Sequence, residues 1–357
     1  MLPTTRSSIF SFSFRQCRRL RVQFRLSCGA VCCALLISSA AHSQLRAQPR
    51  AQSPDQQAQP PVLKVQTEVV NVYAVVTGKH GAVIPNLTQN DFELTDNGVP
   101  QQIQYFSRAT DTPLTMGIMV DTSPSQEHVL PIEQEQAKSF LREVMRPKDL
   151  AFVLHFDLTV ELLQDFTPNV PSLAQAIGET VINGGVQAPL PSTFPSAQEG
   201  YTHLYDAIWL AASPQLMADQ SGRKVLILLT DGQDEGSKET LKSAIQSAQK
   251  ADVMIYSIDI VDRSMYDRYS IYGGGYIGES VLKKLSEETG GAFIRVGRRQ
   301  DTSAAFQEIA RQLRTQYLLG FSPTDRKHDG SYHKIRVRAV NRDYRVQARQ
   351  GYYASSP

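Results

Sequence analysis

Residues 115–125 read TMGIMVDTSPS. The first six, Thr115–Val120, form a short continuous apolar run, the pattern of a strand covered on both faces. The next five, Asp121-Thr122-Ser123-Pro124-Ser125, hold an Asp-x-Ser-x-Ser pattern that puts one carboxylate and the two seryl hydroxyls on a tight loop at the strand's carboxyl end. Working outward, Lys224–Leu229 (KVLILL) and Val253–Ile260 (VMIYSIDI) repeat the buried-strand pattern, and Leu150–Phe156 adds another strand. Val160–Phe166 follows Phe156 closely enough to pair with it as a hairpin. Helical stretches are expected from about Gln126 to Met145 and near 203–219, 239–250, 279–289 and 302–315. This alternation predicts an α/β domain with a doubly wound sheet over 111–315.

On either side the period changes to two. From Leu63 onward Val70, Val72, Ala74 and Val76 share one face, while Val69, Asn71, Tyr73 and Val75 share the other. A turn follows at Gly78–Gly81. Phe92–Thr95 and Gln101–Phe106 then flank Asp96-Asn97-Gly98, whose Asn-Gly pair favours a tight hairpin. Beyond the α/β region, Gln316–Phe321, Lys334–Val340 and Tyr344–Arg349 alternate again, with Asn341-Arg342-Asp343 as a turn between the last two. The antiparallel β segments 63–110 and 316–354 are each short for a stable core. One discontinuous β-sandwich with the α/β domain inserted is therefore favoured over two separate β units.

Residues 1–43 alter the arithmetic of the whole chain, which has 37 Lys+Arg against 35 Asp+Glu. Arg6, Arg15, Arg18, Arg19, Arg21 and Arg25 precede an apolar run from Cys28 to Ile37, and small residues follow to Ser43. That order is expected of a secretory signal peptide, the run being shorter than the ~20 residues of a membrane span. An uncleaved amino-terminal anchor is the alternative. All of Cys17, Cys28, Cys32 and Cys33 lie here, so a mature chain has no disulfide, thiolate zinc site or cysteine nucleophile. Without the six arginines 31 basic residues face 35 acidic ones, which disfavours nucleic acid as a partner. Residues 44–61 (QLRAQPRAQSPDQQAQPP) have no apolar period and read as a disordered linker. The localisation expected is secreted or periplasmic, with no integral span in the mature chain.

Chemistry concentrates at the strand ends. Asp121, Ser123 and Ser125 can converge on one point above the sheet, the edge at which open α/β sheets bind ligands. Thr230-Asp231-Gly232 follows Lys224–Leu229 and supplies a second carboxylate, while Gly200-Tyr201-Thr202-His203-Leu204 opens a helix and offers the Thr202 hydroxyl. Taken singly, Thr202 reads equally as a helix cap, and Asp231 reads more readily as one than as a ligand. Together these are hard oxygen donors suited to a divalent cation.

With these residues in place, the chain resembles the von Willebrand factor type A family and its metal-ion-dependent adhesion site. The family's D-x-S-x-S, later Thr and later Asp before Gly match Asp121, Ser123, Ser125, Thr202 and Asp231. The likeness covers about residues 110–300. The segments LTQNDFELTDNGVPQQIQYF, QYLLGFSP and ARQGYYA extend it to the bacterial secreted relatives of that family known from acidobacteria. The resemblance implies a Rossmann-like fold and a Mg2+ site, with Mn2+ or Ca2+ as alternatives, that binds a carboxylate from a protein partner. It also implies direct ligation by Ser123 and Ser125, with Asp121, Thr202 and Asp231 ligating directly or through water, and a shift of the last helix, about 302–315. Pro124 stands where the family often has a small residue, stiffening the loop. Asp234 could supply second-shell charge, and His203 and Tyr272 are further candidate contacts.

Other features point elsewhere. Residues 265–277 (MYDRYSIYGGGYI), which include Tyr272, read either as an aromatic contact loop or as a loop packed on its own sheet. Lys334, Arg336 and Arg338, with Arg345 and Arg349, read as a solvated outer face. His155 is expected to be a satisfied core residue. There is no G-x-S-x-G, H-E-x-x-H or G-x-x-x-x-G-K-[ST] motif, so the chain is not expected to be an enzyme. A binding protein is the leading expectation. The alternatives are a structural or assembly component whose metal only stabilises the domain, or an accessory subunit of an enzyme complex.

Overall fold

The structure, a computed structural model, describes residues 69–109, 112–183, 202–217, 222–260, 277–296, 302–325 and 327–355. By internal contacts the chain divides at Leu63, and all described residues belong to the second unit, Lys64–Pro357. The expected signal peptide, the linker and Tyr272 lie outside the described residues.

The amino-terminal flank supplies β1 (Val70–Thr77), β2 (Phe92–Asp96), β3 (Val99–Gln101) and β4 (Tyr105–Arg108). The central region supplies β5 (Leu114–Asp121), β6 (Leu150–Phe156), β7 (Val160–Thr167), β8 (Arg223–Thr230), β9 (Val253–Ile260) and β10 (Phe293–Val296). Its helices are α1 (Leu130–Val144), α2 (Val170–Gly178), α3 (Leu204–Ala211), α4 (Pro214–Met217), α5 (Leu241–Lys250), α6 (Gly278–Thr289) and α7 (Thr302–Arg314). The carboxyl-terminal flank supplies β11 (Tyr317–Phe321), β12 (Tyr332–Ala339), β13 (Arg345–Ala348) and β14 (Gly351–Tyr353).

The central sheet has the order β10-β9-β8-β5-β6-β7, parallel except for the edge strand β7. Counted within this domain the order is 3-2-1-4-5-6 of a Rossmann-like doubly wound sheet, and its direction reverses between β5 and β8. All eight residues of β5 are buried because both faces are covered. Met116, Ile118 and Val120 join a cluster with α1, α2 and α7; Met119 joins the opposite cluster with α3, α5 and α6. The edge strand β7 is only partly buried.

The boundaries differ from expectation for local reasons. The turn Pro124–Gln126 is 3-10, and α1 starts at Leu130 rather than Gln126. The stretch expected over 203–219 is two helices, since Pro214 lacks the N–H needed to continue α3. Helix α2 was not anticipated, although Asn169 caps it by accepting from the Ser172 N–H at 3.1 Å. The four-residue β10 was also missed.

The flanks form two four-stranded sheets, β13-β1-β11-β4 and β14-β12-β2-β3. Each sheet takes strands from both ends of the described chain: Val72 pairs with Leu319, and Leu94 with Val337. One apolar cluster joins them, including Val72, Leu94, Tyr317, Phe321, Ile335 and Tyr352. Asn97 (φ 48°) and Gly98 (φ 83°) form the tight hairpin between β2 and β3, both in the left-handed region such a turn requires. Two expectations are corrected. Gln101–Phe106 is not one strand: the chain leaves β3 at Gln101 and enters the other sheet as β4 at Tyr105. The residues about Asn341–Asp343 do not join a pair, because β12 and β13 lie in different sheets. Lys334, Arg336, Arg338 and Arg345 are exposed, but Arg349 is pinned by Asp252 and by the Asn71 carbonyl at 2.6 Å.

Candidate metal centre

Asp121 ends β5, and Asp231 immediately follows β8, so the two carboxylates flank the point where the sheet order reverses. Both are buried. The Asp121 Oδ1 accepts from the Ser123 N–H at 2.9 Å, and its Oδ2 accepts from Thr230 Oγ1 at 2.6 Å. Burial, reinforced by the Asp231 charge, pushes the Asp121 carboxyl up to about 7 against those hydrogen bonds. Asp231 Oδ1 accepts from the Gln233 N–H at 3.0 Å. Ser123 and Ser125 stand with their hydroxyls 3.1 Å apart, and Gln126 Nε2 donates to Ser125 Oγ at 3.1 Å.

Thr202 is buried and belongs to the same cluster of loops. It exchanges both backbone hydrogen bonds with Glu235, on the loop that carries Asp231. His203 follows at the start of α3, its N–H donating to the Asp157 carbonyl at 2.9 Å. Asp234 Oδ1 accepts from the Tyr205 N–H at 3.0 Å and from Ser237 Oγ at 2.6 Å, so its charge caps α3 from a neighbouring loop.

Three residues at this edge escaped the sequence reading. Thr230 bridges the two carboxylate loops: its hydroxyl donates to Asp121 and accepts from the Gly232 N–H at 3.0 Å. Asp157, just past β6, accepts from Thr122 Oγ1 at 2.7 Å and from Asn183 Nδ2 at 3.4 Å. Together with its carbonyl bond to His203 it stitches the loops after β5 and β6 to the start of α3. The available signal was its place one residue beyond a strand, as for Asp231. His155, expected in the core, is half-buried and contacts Thr122 Oγ1 at 3.0 Å and Glu161 at 3.6 Å. The third is Glu133 of α1, fully buried, which burial and the charges of Asp121 and Asp231 push well above the ordinary carboxylate range.

The fit of this cluster to a hard divalent cation can be judged from what folding leaves unsatisfied. Both Glu133 oxygens and Gln126 Oε1 are buried without a hydrogen-bond partner. Buried acceptors beside two further carboxylates call for positive charge or a strong donor. Two carboxylates and three hydroxyls are oxygen donors of the kind Mg2+ takes, so the residues fit.

No family model and no curated protein matches the chain. Several solved structures are similar to it. An aerotolerance-related membrane protein from Bacteroides fragilis NCTC 9343 is 18% identical over 56% of this chain and 98% of its own, with a TM-score of 0.39. The vWF domain of the type V pili tip protein Mfa5 from Porphyromonas gingivalis is 13% identical over 56% and 94%, with a TM-score of 0.40. The von Willebrand factor type A protein from Catenulispora acidiphila is 12% identical over 82% and 75%, with a TM-score of 0.43. At such identities function has to be argued from the site. Among the described residues no helix is long and apolar enough to cross a membrane.

Proposed function

We propose that this chain is a secreted or periplasmic von Willebrand factor type A domain protein that binds a protein partner through a divalent cation, Mg2+ in the first instance. Asp121, Ser123, Ser125, Thr202 and Asp231 would hold the ion, which when bound supplies a positive centre able to attract a carboxylate of the partner. The supporting observation is the convergence of two buried carboxylates at the reversal point of the sheet, with hydroxyls of the Asp121–Ser125 loop beside them.

The chain's own groups prepare the site. Thr230 and the Ser123 N–H each hold one Asp121 oxygen, so the carboxylate is oriented before any ligand arrives. Gln126 donates to one lone pair of Ser125, and with the Ser125 hydroxyl donating to Ser123 the other Ser125 lone pair stays open to a cation. Asp157 anchors Thr122 and His203, limiting drift of Ser123 relative to Thr202.

The test is capture of partners from an envelope extract on the immobilised chain, with Mg2+ or with excess EDTA, and circular dichroism in both. The expected result is loss of captured protein in EDTA with an unchanged spectrum. Equal capture in both buffers would assign the binding to another surface and leave the metal, if bound, a stabilising part.

A further inference from the structure

Glu133 sits in the first turn of α1 on the stripe that also carries Leu130, Ala137, Phe140 and Leu141, all buried. An apolar residue would suit such a position, yet the chain places there a carboxyl group with no partner for either oxygen. A buried carboxylate in that condition is among the costliest groups a fold can keep. A second orphaned acceptor, Gln126 Oε1, lies on the segment joining Ser125 to α1, and the amide of the same side chain holds Ser125 Oγ. The α1 stripe packs in one apolar cluster with Ile118 and Val120 of β5, the strand that ends at Asp121, which puts Glu133 on the sheet face beneath the Asp121 loop; the charges of Asp121 and Asp231 act on it there.

Direct ligation is the less suitable role. Among the described residues no three His, Cys, Asp or Glu side chains converge closely enough to hold one ion. Mg2+ keeps several of its waters, and ion-bound water is a strong hydrogen-bond donor. We propose that Glu133 is an outer-sphere residue of the cation site, accepting hydrogen bonds from water on the ion that Asp121, Ser123, Ser125, Thr202 and Asp231 hold. Its unpartnered oxygens are the acceptors available to that water. Loss of such outer partners typically weakens metal binding about 10–100-fold.

This inference rests on the cation-site reading, and the experiment separates the two. Mg2+ affinity is measured by isothermal titration calorimetry, and cation-free thermal stability by scanning calorimetry, for the wild-type chain, Asp121→Asn, Glu133→Gln and Glu133→Met. The two effects expected of the Glu133 variants have opposite signs. Without cation both melt at or above the wild-type temperature, because an uncompensated buried carboxylate has gone. With Mg2+ their Kd rises, by about 10–100-fold in Glu133→Met and by less in Glu133→Gln, which keeps an acceptor oxygen. If the wild type binds no Mg2+, both readings fall. If the wild type binds, Asp121→Asn does not, and both Glu133 variants stay within twofold of wild type, the Glu133 assignment alone is overturned.

Discussion

Asp121→Asn is expected to abolish the thermal stabilisation that saturating Mg2+ gives the wild-type chain. At a cation concentration a hundredfold above Kd, that stabilisation is about 2.7 kcal/mol, or roughly 5–10 °C for a domain of this size. The variant keeps the side-chain volume and one acceptor oxygen for the Ser123 N–H, and its amide can donate to Thr230 Oγ1. It should therefore fold, and differential scanning calorimetry with and without Mg2+ reads the loss directly. A wild-type response retained in Asp121→Asn would remove Asp121 from the site. The same variant changes the pH profile. Burial and Asp231 push the folded Asp121 carboxyl up to about 7, whereas the unfolded chain releases this proton near 4. The raised group's stabilising contribution is thus fully present below about pH 4 and lost as pH rises through about 7. Cation-free wild-type protein is expected to weaken across that window, and Asp121→Asn to weaken less. Urea midpoints at pH 4.5, 6 and 7.5 check this, and identical slopes for the two proteins would refute it.

Gly278→Ala should be the most damaging single-methyl change near the site. Gly278 opens α6, and a Cβ there would stand 1.9 Å from the Asp231 carbonyl oxygen and 3.0 Å from the Gly232 carbonyl carbon. These are backbone atoms of a turn in which Gly232 already has φ 78°, a left-handed conformation disfavoured for other residues. Neither side can yield without moving α6 or the Asp231 loop, so overpacking costs about 3 kcal/mol, roughly 6–12 °C in Tm. Because Asp231 is the group displaced, Mg2+ affinity should fall with stability. Ser280→Ala, at an exposed position two residues further along the helix, loses only a hydroxyl bond to the Ile277 carbonyl; it is the control and should stay within about 2 °C. A Gly278→Ala protein with wild-type Tm would show that α6 docks more loosely than its contact implies.

The two halves of the candidate site were unequally legible. Asp121, Ser123 and Ser125 are readable because a buried apolar run ending in a hydroxyl-rich loop has a local signature. Asp231 follows the same logic after β8. Thr230 carried no comparable sign and Asp157 only its place one residue beyond β6; each matters through a partner more than 30 residues away, Thr230 on Asp121 and Asp157 on Thr122. Glu133 left a faint trace as the single acidic residue on an apolar helical stripe. Helical periodicity puts it on the face of Leu130, Ala137 and Phe140, but the orphaned oxygens are visible only once α1 is packed.

The flanks make the same division. Period-two alternation tells which residues of Val70–Val76 share a face, because side chains point alternately across a strand whatever lies opposite. It does not tell what covers that face. The partner of Val72 is Leu319, 247 positions away, and such a pairing is chosen by collective burial of residues far apart in the sequence. By itself the sequence determined most of the strands, the Asn97-Gly98 turn and the order of the oxygen donors, since short-range sterics and periodicity govern all three. The tertiary structure decided which strands pair, which loops converge and which buried acceptors go unmet, because those depend on groups that meet only when the whole core closes.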